Sequence, residues 1–189
     1  MTIAGAVLCG GASRRMGTDK SLIELDGVAM AERVALTLEA AGCAPVVFVG
    51  GDRDALAATG RRFVPDGWPG EGPVGGVLSA LSALREATAV VIVACDLPDL
   101  TPDAVRDVIG SGEPGHALRV ADSGRLEPML GCWPAAAHDE VAHSFHAGSR
   151  ALHDVIAGLD AVRVPVAPAA VRNVNRPADL RNRQRPSIG

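Results

Sequence analysis

Between Gly10 and Lys20 the chain reads GGASRRMGTDK. The Gly10-Gly11 pair frees the backbone to turn sharply and to bring its N–H groups close to a ligand. Successive N–H groups aimed one way form an anion-binding nest. Arg14, Arg15 and Lys20 add positive charge, and a lysine reaches a phosphate as a point charge. The segment reads as a loop that wraps a polyphosphate; a solvated loop with incidental arginines is the competing reading. It fits neither G-x-x-x-x-G-K-[ST] nor G-x-G-x-x-G, because Thr18-Asp19 separate Gly17 from Lys20-Ser21. A P-loop NTPase and a dinucleotide dehydrogenase are therefore unsupported.

A second chemical residue, Asp96, directly follows AVVIVAC at 89–95, the most continuous apolar run in the chain. Mg²⁺ binds carboxylate and phosphate oxygens and keeps several waters, so one aspartate beside a nucleotide suffices to hold it. A turn or cap aspartate before Leu97-Pro98 is the plainer alternative. Facing a glycine loop on the same sheet edge, the metal reading is preferred.

The elements that must position these residues follow from apolar runs and breakers. Strands are expected at 3–9, 45–49, 61–65 and 89–95, with helices at 29–41, 52–58, 77–87 and 101–109 between and after them. On the first helix Met30, Val34 and Leu38 fall four apart on one face. Thr101-Pro102 supplies an N-cap and a proline at the first helical position. Residues 66–76, DGWPGEGPVGG, are too rich in Gly and Pro for regular structure, and a long connection of that kind inside a domain is usually functional. The loop from Pro65 to Pro73 either closes over substrate or acts as a rigid connector.

Alternation of strand and helix means an α/β doubly wound fold with a mostly parallel sheet flanked by helices. Ligands in such sheets lie at the carboxyl ends of the strands, where the Gly10 loop and Asp96 both fall. The second half is less regular. Strands are expected at 118–121, 129–133 and 162–166, helices at 135–145 and 149–157, a flexible stretch at 167–170 and a last helix opened by Pro177. One domain over 1–189 is expected, with a nucleotide-binding half to about 110, a substrate-binding half over 111–182 and a frayed tail at 183–189.

Composition narrows the classes. Hydrophobic residues make up 48% of the 189, and aromatics only 3%, so the core must be built from Ala, Val, Leu and Ile. So few rings argue against stacking on single-stranded nucleic acid. A net charge of −4 gives no general attraction to nucleic acid or anionic lipid. Cys9, Cys43, Cys95 and Cys132 contain no C-x-x-C pair and read as small buried residues in a reducing cytosol. No signal segment opens the chain and no apolar run spans a bilayer, so a cytoplasmic protein is expected.

LCGGASRRMGTDK, then GPVGG (72–76), ACDLP (94–98) and NVNRP (173–177) together resemble the molybdenum cofactor guanylyltransferases. The blocks stand in family order and span nearly the whole chain. The resemblance implies a Rossmann-like nucleotidyltransferase fold that transfers GMP from GTP to the molybdopterin cofactor, with Mg²⁺ and release of pyrophosphate. It implies that Leu8, Cys9 and Gly10, with Gly11 beside them, contact the nucleotide and that Lys20 contacts its phosphates. Asp66 would be a second GTP-contacting aspartate, Asp96 the residue binding Mg²⁺ and GTP, and Asn173 and Asn175 would lie near the cofactor or metal.

Lys20 and Arg15 would neutralise phosphate charge. GTP and molybdopterin are the implied partners, with molybdoenzymes or other cofactor-synthesis proteins downstream, and neither nucleic acid nor a membrane. Compared with the family's pattern, one residue fewer stands between Gly17 and Asp19. Val49-Gly50-Gly51 replaces an asparagine after the second strand, and no role is carried over there. The two glycines after Cys9 resemble the guanine-using branch rather than the cytidylyltransferases. That cytidylyl reading, a sugar-phosphate nucleotidyltransferase and a non-catalytic cofactor-delivery protein remain the alternatives.

Other candidates read more plainly. His138, His143, His146 and His153 recur on a helical stretch without a carboxylate pattern, as a solvated face does. Arg125 and Glu127-Pro128 fall where the resemblance places the pterin. Asp19 either orients Lys20 or forms the turn. Trp68 and Trp133 are expected to pack.

Overall fold

The computed structural model describes residues 2–10, 20–112 and 115–174. Strand β1 (Ile3–Leu8) leads to a 3₁₀ turn at Lys20–Leu22 and a two-residue hairpin, β2 (Glu24–Leu25) and β3 (Val28–Ala29). Then come α1 (Met30–Ala40), β4 (Val46–Val49), α2 (Arg53–Ala57), β5 (Arg62–Val64), α3 (Pro73–Ala83), β6 (Ala89–Ala94) and α4 (Pro102–Ile109). The second half holds β7 (Arg119–Asp122), β8 (Leu126–Pro134), α5 (His138–His146), α6 (Leu152–Gly158) and β9 (Val162–Pro165).

Seven strands form one sheet in the order β5-β4-β1-β6-β8-β7-β9. β1 pairs in parallel with β4 and β6, and β4 in parallel with β5. β8 enters antiparallel to both β6 and β7, while β7 and β9 are parallel. The α/β, mostly parallel architecture expected from the alternation is the one observed. In the register Leu8 lies beside Val49 and Ala94, so β1, β4 and β6 end level with one another. The chain therefore leaves all three strands at one common edge.

Burial on both faces explains why β6 is apolar throughout: all six of its residues are buried. α1 and α4 cover one face, where Val7, Val91 and Val93 meet Val34, Leu38 and Val105. α3, α5 and α6 cover the other, where Ala6, Val47 and Ile92 meet Leu78, Leu81, Phe145 and Ile156. Met30, Val34 and Leu38 are buried as their spacing demands.

Three expectations are corrected. The third helix starts at Pro73, four residues earlier than the apolar pattern suggests, and ends at Ala83. Pro73 fits the first helical position, whose N–H would be unpaired anyway, so Gly75 and Gly76 enter the helix, with Gly72 as its N-cap. Residues 167–170 are ordered by a 3₁₀ turn, Pro168–Val171, with Ala170 and Val171 buried against the core. β8 begins three residues before the expected 129 and carries the β7–β8 hairpin beyond the end of β6.

Candidate functional site

At the common edge, backbone hydrogen bonds continue the sheet past its last strand residues. Cys9 N–H donates to the Val49 carbonyl at 2.8 Å, Gly50 N–H to Val64 at 2.9 Å, and Cys95 N–H to Leu8 at 3.1 Å. Leu8 and Cys9 are therefore buried and fixed, whereas Gly10 emerges into solvent. The structure brings Leu8, Cys9, Gly10 and Asp66 together.

Two glycines with no role expected from the sequence join them. Gly50 has φ +69° and stands so close that a Cβ would lie 3.2 Å from the Gly10 Cα. Gly51 has φ +86°, and its Cβ would lie 3.0 Å from the Cys9 Cβ and from Leu56. Both positions combine a left-handed backbone with close approach, which only glycine meets without strain. Gly10 differs: a Cβ there would find nothing nearer than 3.7 Å, the Asp66 Oδ2. Among the described residues, then, nothing crowds the space over Gly10.

Asp66 follows β5, and its Oδ1 accepts the Trp68 N–H at 2.9 Å and lies 3.3 Å from the Ser79 hydroxyl. The loop from Asp66 to Gly72 is tied down at several points. Trp68 meets Phe145 edge to face with centroids 5.4 Å apart. The Arg150 guanidinium lies 4.1 Å over the Phe145 ring and donates to Glu71 at 2.7 Å. Between lid and rigid connector, these anchors favour the connector.

Asp96 follows β6 at the same edge, close to Lys20. Burial pushes its carboxyl above the ordinary aspartate range; the nearby Lys20 ammonium and a hydrogen bond within Asp96 itself pull it back. Its Oδ1 is buried with no hydrogen-bond partner among the described residues. The Asp96 carbonyl accepts the Val174 N–H at 3.0 Å, which places exposed Asn173 beside it. Val174 in turn packs on Leu25 and Met30. The blocks containing Lys20, Asp96 and Asn173, scattered through the sequence, are therefore neighbours. Gly11, Arg15, Asp19 and Asn175 lie outside the described residues.

The remaining candidates take ordinary places. His138 bridges Ser82 at 2.9 Å and Asp139 at 2.8 Å, while His143, His146 and His153 are exposed. Among the described residues no three His, Cys, Asp or Glu side chains cluster as a metal cage. Trp133 is wholly buried. Glu127 accepts from Ser123 at 2.6 Å and Arg125 at 2.9 Å on the β7–β8 hairpin. No helix among the described residues is long and apolar enough to cross a membrane.

A glycine-lined edge of a mostly parallel sheet, with Asp66 and Asp96 following two of its strands and Lys20 close by, is the place where α/β proteins of this architecture bind ligands. Residues 5–163 match the model of the MobA-like NTP transferase domain. A probable molybdenum cofactor guanylyltransferase of Opitutus terrae is 33% identical, the alignment covering 97% of this chain and 95% of the relative. The molybdenum cofactor guanylyltransferase of Rhodobacter capsulatus is also 33% identical, over 95% and 94%. The crystal structure of molybdopterin-guanine dinucleotide biosynthesis protein A from Archaeoglobus fulgidus superposes with a TM-score of 0.76 at 25% identity, covering 96% of each chain. The chain belongs to the MobA-like NTP transferase family.

Proposed function

We propose that the protein transfers GMP from GTP to the terminal phosphate of molybdopterin, releasing pyrophosphate. The observation that carries this reading is the meeting of Lys20, Asp96 and the Asn173 segment at the glycine-floored edge. Relatives named for this activity match the chain over nearly its full length.

In this reaction an oxygen of the molybdopterin phosphate attacks the α-phosphorus of GTP in line. The bond from that phosphorus to the bridging oxygen breaks, and pyrophosphate leaves with the electron pair. Such transfers need positioning and charge neutralisation more than covalent help. Lys20, with Arg15, opposes the phosphate charge. Leu8, Cys9, Gly10, Gly11 and Asp66 hold the nucleotide, and Asn173 and Asn175 the second substrate.

Asp96 is the residue that would hold Mg²⁺. Its Oδ1 is a hard oxygen without a hydrogen-bond donor among the described residues, which also hold no three-ligand cage, so phosphate oxygens and water would complete the shell. Bound there, Mg²⁺ would supply polarisation of the α-phosphate. Four buried cysteines outside any disulfide suit a cytoplasmic, reducing setting.

The test is a nucleotide-selectivity assay with molybdopterin present. Pyrophosphate release is expected from GTP, and only when Mg²⁺ and molybdopterin are both supplied. Equal turnover of CTP would move the protein to the cytidylyl branch; turnover with sugar phosphates and none with molybdopterin would refute the proposal.

A further inference from the structure

Two polar residues among the described ones are buried, Ser21 and Ser79. Ser79 lies midway along α3 among Leu78, Ala80 and Leu81, all buried. Its hydroxyl oxygen accepts the Gly67 N–H at 3.0 Å. Its single proton has two acceptors within reach, the Gly75 carbonyl at 2.9 Å and Asp66 Oδ1 at 3.3 Å. The first is the ordinary back-bond of a helical serine and would satisfy the donor alone. The contacts to Gly67 and Asp66 are additional, and both belong to the loop that carries the carboxylate.

Their effect is directional. Oδ1 of Asp66 is engaged by Trp68 N–H and Ser79, so the carboxylate has its other oxygen for the site. Oδ2 stands 3.7 Å from where a Gly10 Cβ would be, the nearest atom to that point among the described residues. A carboxylate repels phosphates, so what it meets there is an uncharged donor: the N–H edge of the base or a ribose hydroxyl.

We propose that Ser79 is a positioning residue for nucleotide binding, fixing Asp66 and the 66–68 turn so that Oδ2 faces the donor groups of the nucleoside. The inference rests on the GTP reading above. Ser79 touches no substrate and acts through Asp66.

The experiment is a double-mutant cycle with Ser79→Ala, Asp66→Asn and the pair together. KM for GTP and kcat are measured at saturating molybdopterin, and the thermal midpoint is recorded for each protein. Ser79→Ala should raise KM for GTP about tenfold, the equivalent of one hydrogen bond, with kcat within about threefold of wild type. Added to Asp66→Asn, it should raise KM no further, because residues acting as one unit are not additive. Ser79→Thr, which keeps the hydroxyl, should restore most of the loss. Additive effects, or a lowered midpoint with KM unchanged, would overturn the positioning role. An active wild type with an unaltered Ser79→Ala variant defeats this inference alone. A wild type that does not turn over GTP defeats the guanylyl reading and this one with it.

Discussion

The Asp96 carboxyl is held above its ordinary range chiefly by burial, with Lys20 working in the opposite direction. A folded-state value raised above the unfolded one means that the folded protein binds this proton more tightly. The contribution is fully present below the ordinary aspartate value and is lost as pH rises through the raised folded value. At neutral pH the ionised group therefore destabilises the fold. Asp96→Asn should raise the thermal midpoint at pH 7, with the gain fading towards pH 3. The same substitution should cut turnover about a hundredfold or more, the usual loss on removing one preorganised charge contact. Midpoints across pH and a steady-state rate assay check the two halves; retained turnover would remove Asp96 from the reaction. Asp96 was legible because it ends the longest apolar run and so had to emerge at a strand end. Ser79 was not. A single serine in an apolar helix carries no sign of its partner, and the Asp66 contact exists only after β5 and α3 have packed.

Arg61, at the entrance to β5, clamps α1 to the sheet. It donates to both oxygens of Glu32 at 2.7 and 2.8 Å and to both of Glu39 at 2.6 and 3.0 Å. Its side chain is only 12% exposed, so these charge-assisted pairs are shielded from solvent more than ordinary surface bridges. Arg61→Met should lower unfolding free energy by about 2 kcal/mol in urea titrations, leaving two facing glutamates unpaired. Turnover should be unchanged, since the clamp lies away from Asp96. The Arg61 hydrogen bond holds Glu39 below the ordinary glutamate range, so that share of stability persists above the ordinary value and disappears as pH falls through the lowered one. Among the elements, strands with β-branched runs were legible to within a residue or two in the first half. α3 was misplaced because glycine masks helix onset wherever proline starts it. Residues 167–170 looked loose from composition, yet Ala170 and Val171 are buried by the core.

At the scale of the molecule, a ligand that binds only the folded chain stabilises it by mass action. GTP with Mg²⁺ at about one hundred times its dissociation constant should add about 2.7 kcal/mol. For a chain of this length that corresponds to a rise of about 5–10 °C in thermal midpoint. CTP at the same concentration should give a smaller rise, and a scanning fluorimetry comparison reads the difference; equal rises would remove the guanine preference. Strand alternation made the fold class legible, but not the sheet order. The insertion of antiparallel β8 between β6 and β7 depends on long-range pairing that no local pattern records.

The place of β1 in the interior of the sheet, between β4 and β6, has a consequence for how the chain is made. Its first residue, Ile3, is paired with Ala89, so β1, made before every other described strand, acquires its second neighbour only after most of the first half exists. At ribosomal speeds of about 5–20 residues per second that interval is on the order of 4–17 s. Meanwhile the buried run Ala4–Leu8 presents an open, apolar edge to whatever else is nearby. The same interior position that sets Gly10 beside the strand leading to Asp96 leaves the newborn chain with an unpaired strand edge, and β6 is the strand whose arrival ends that exposure.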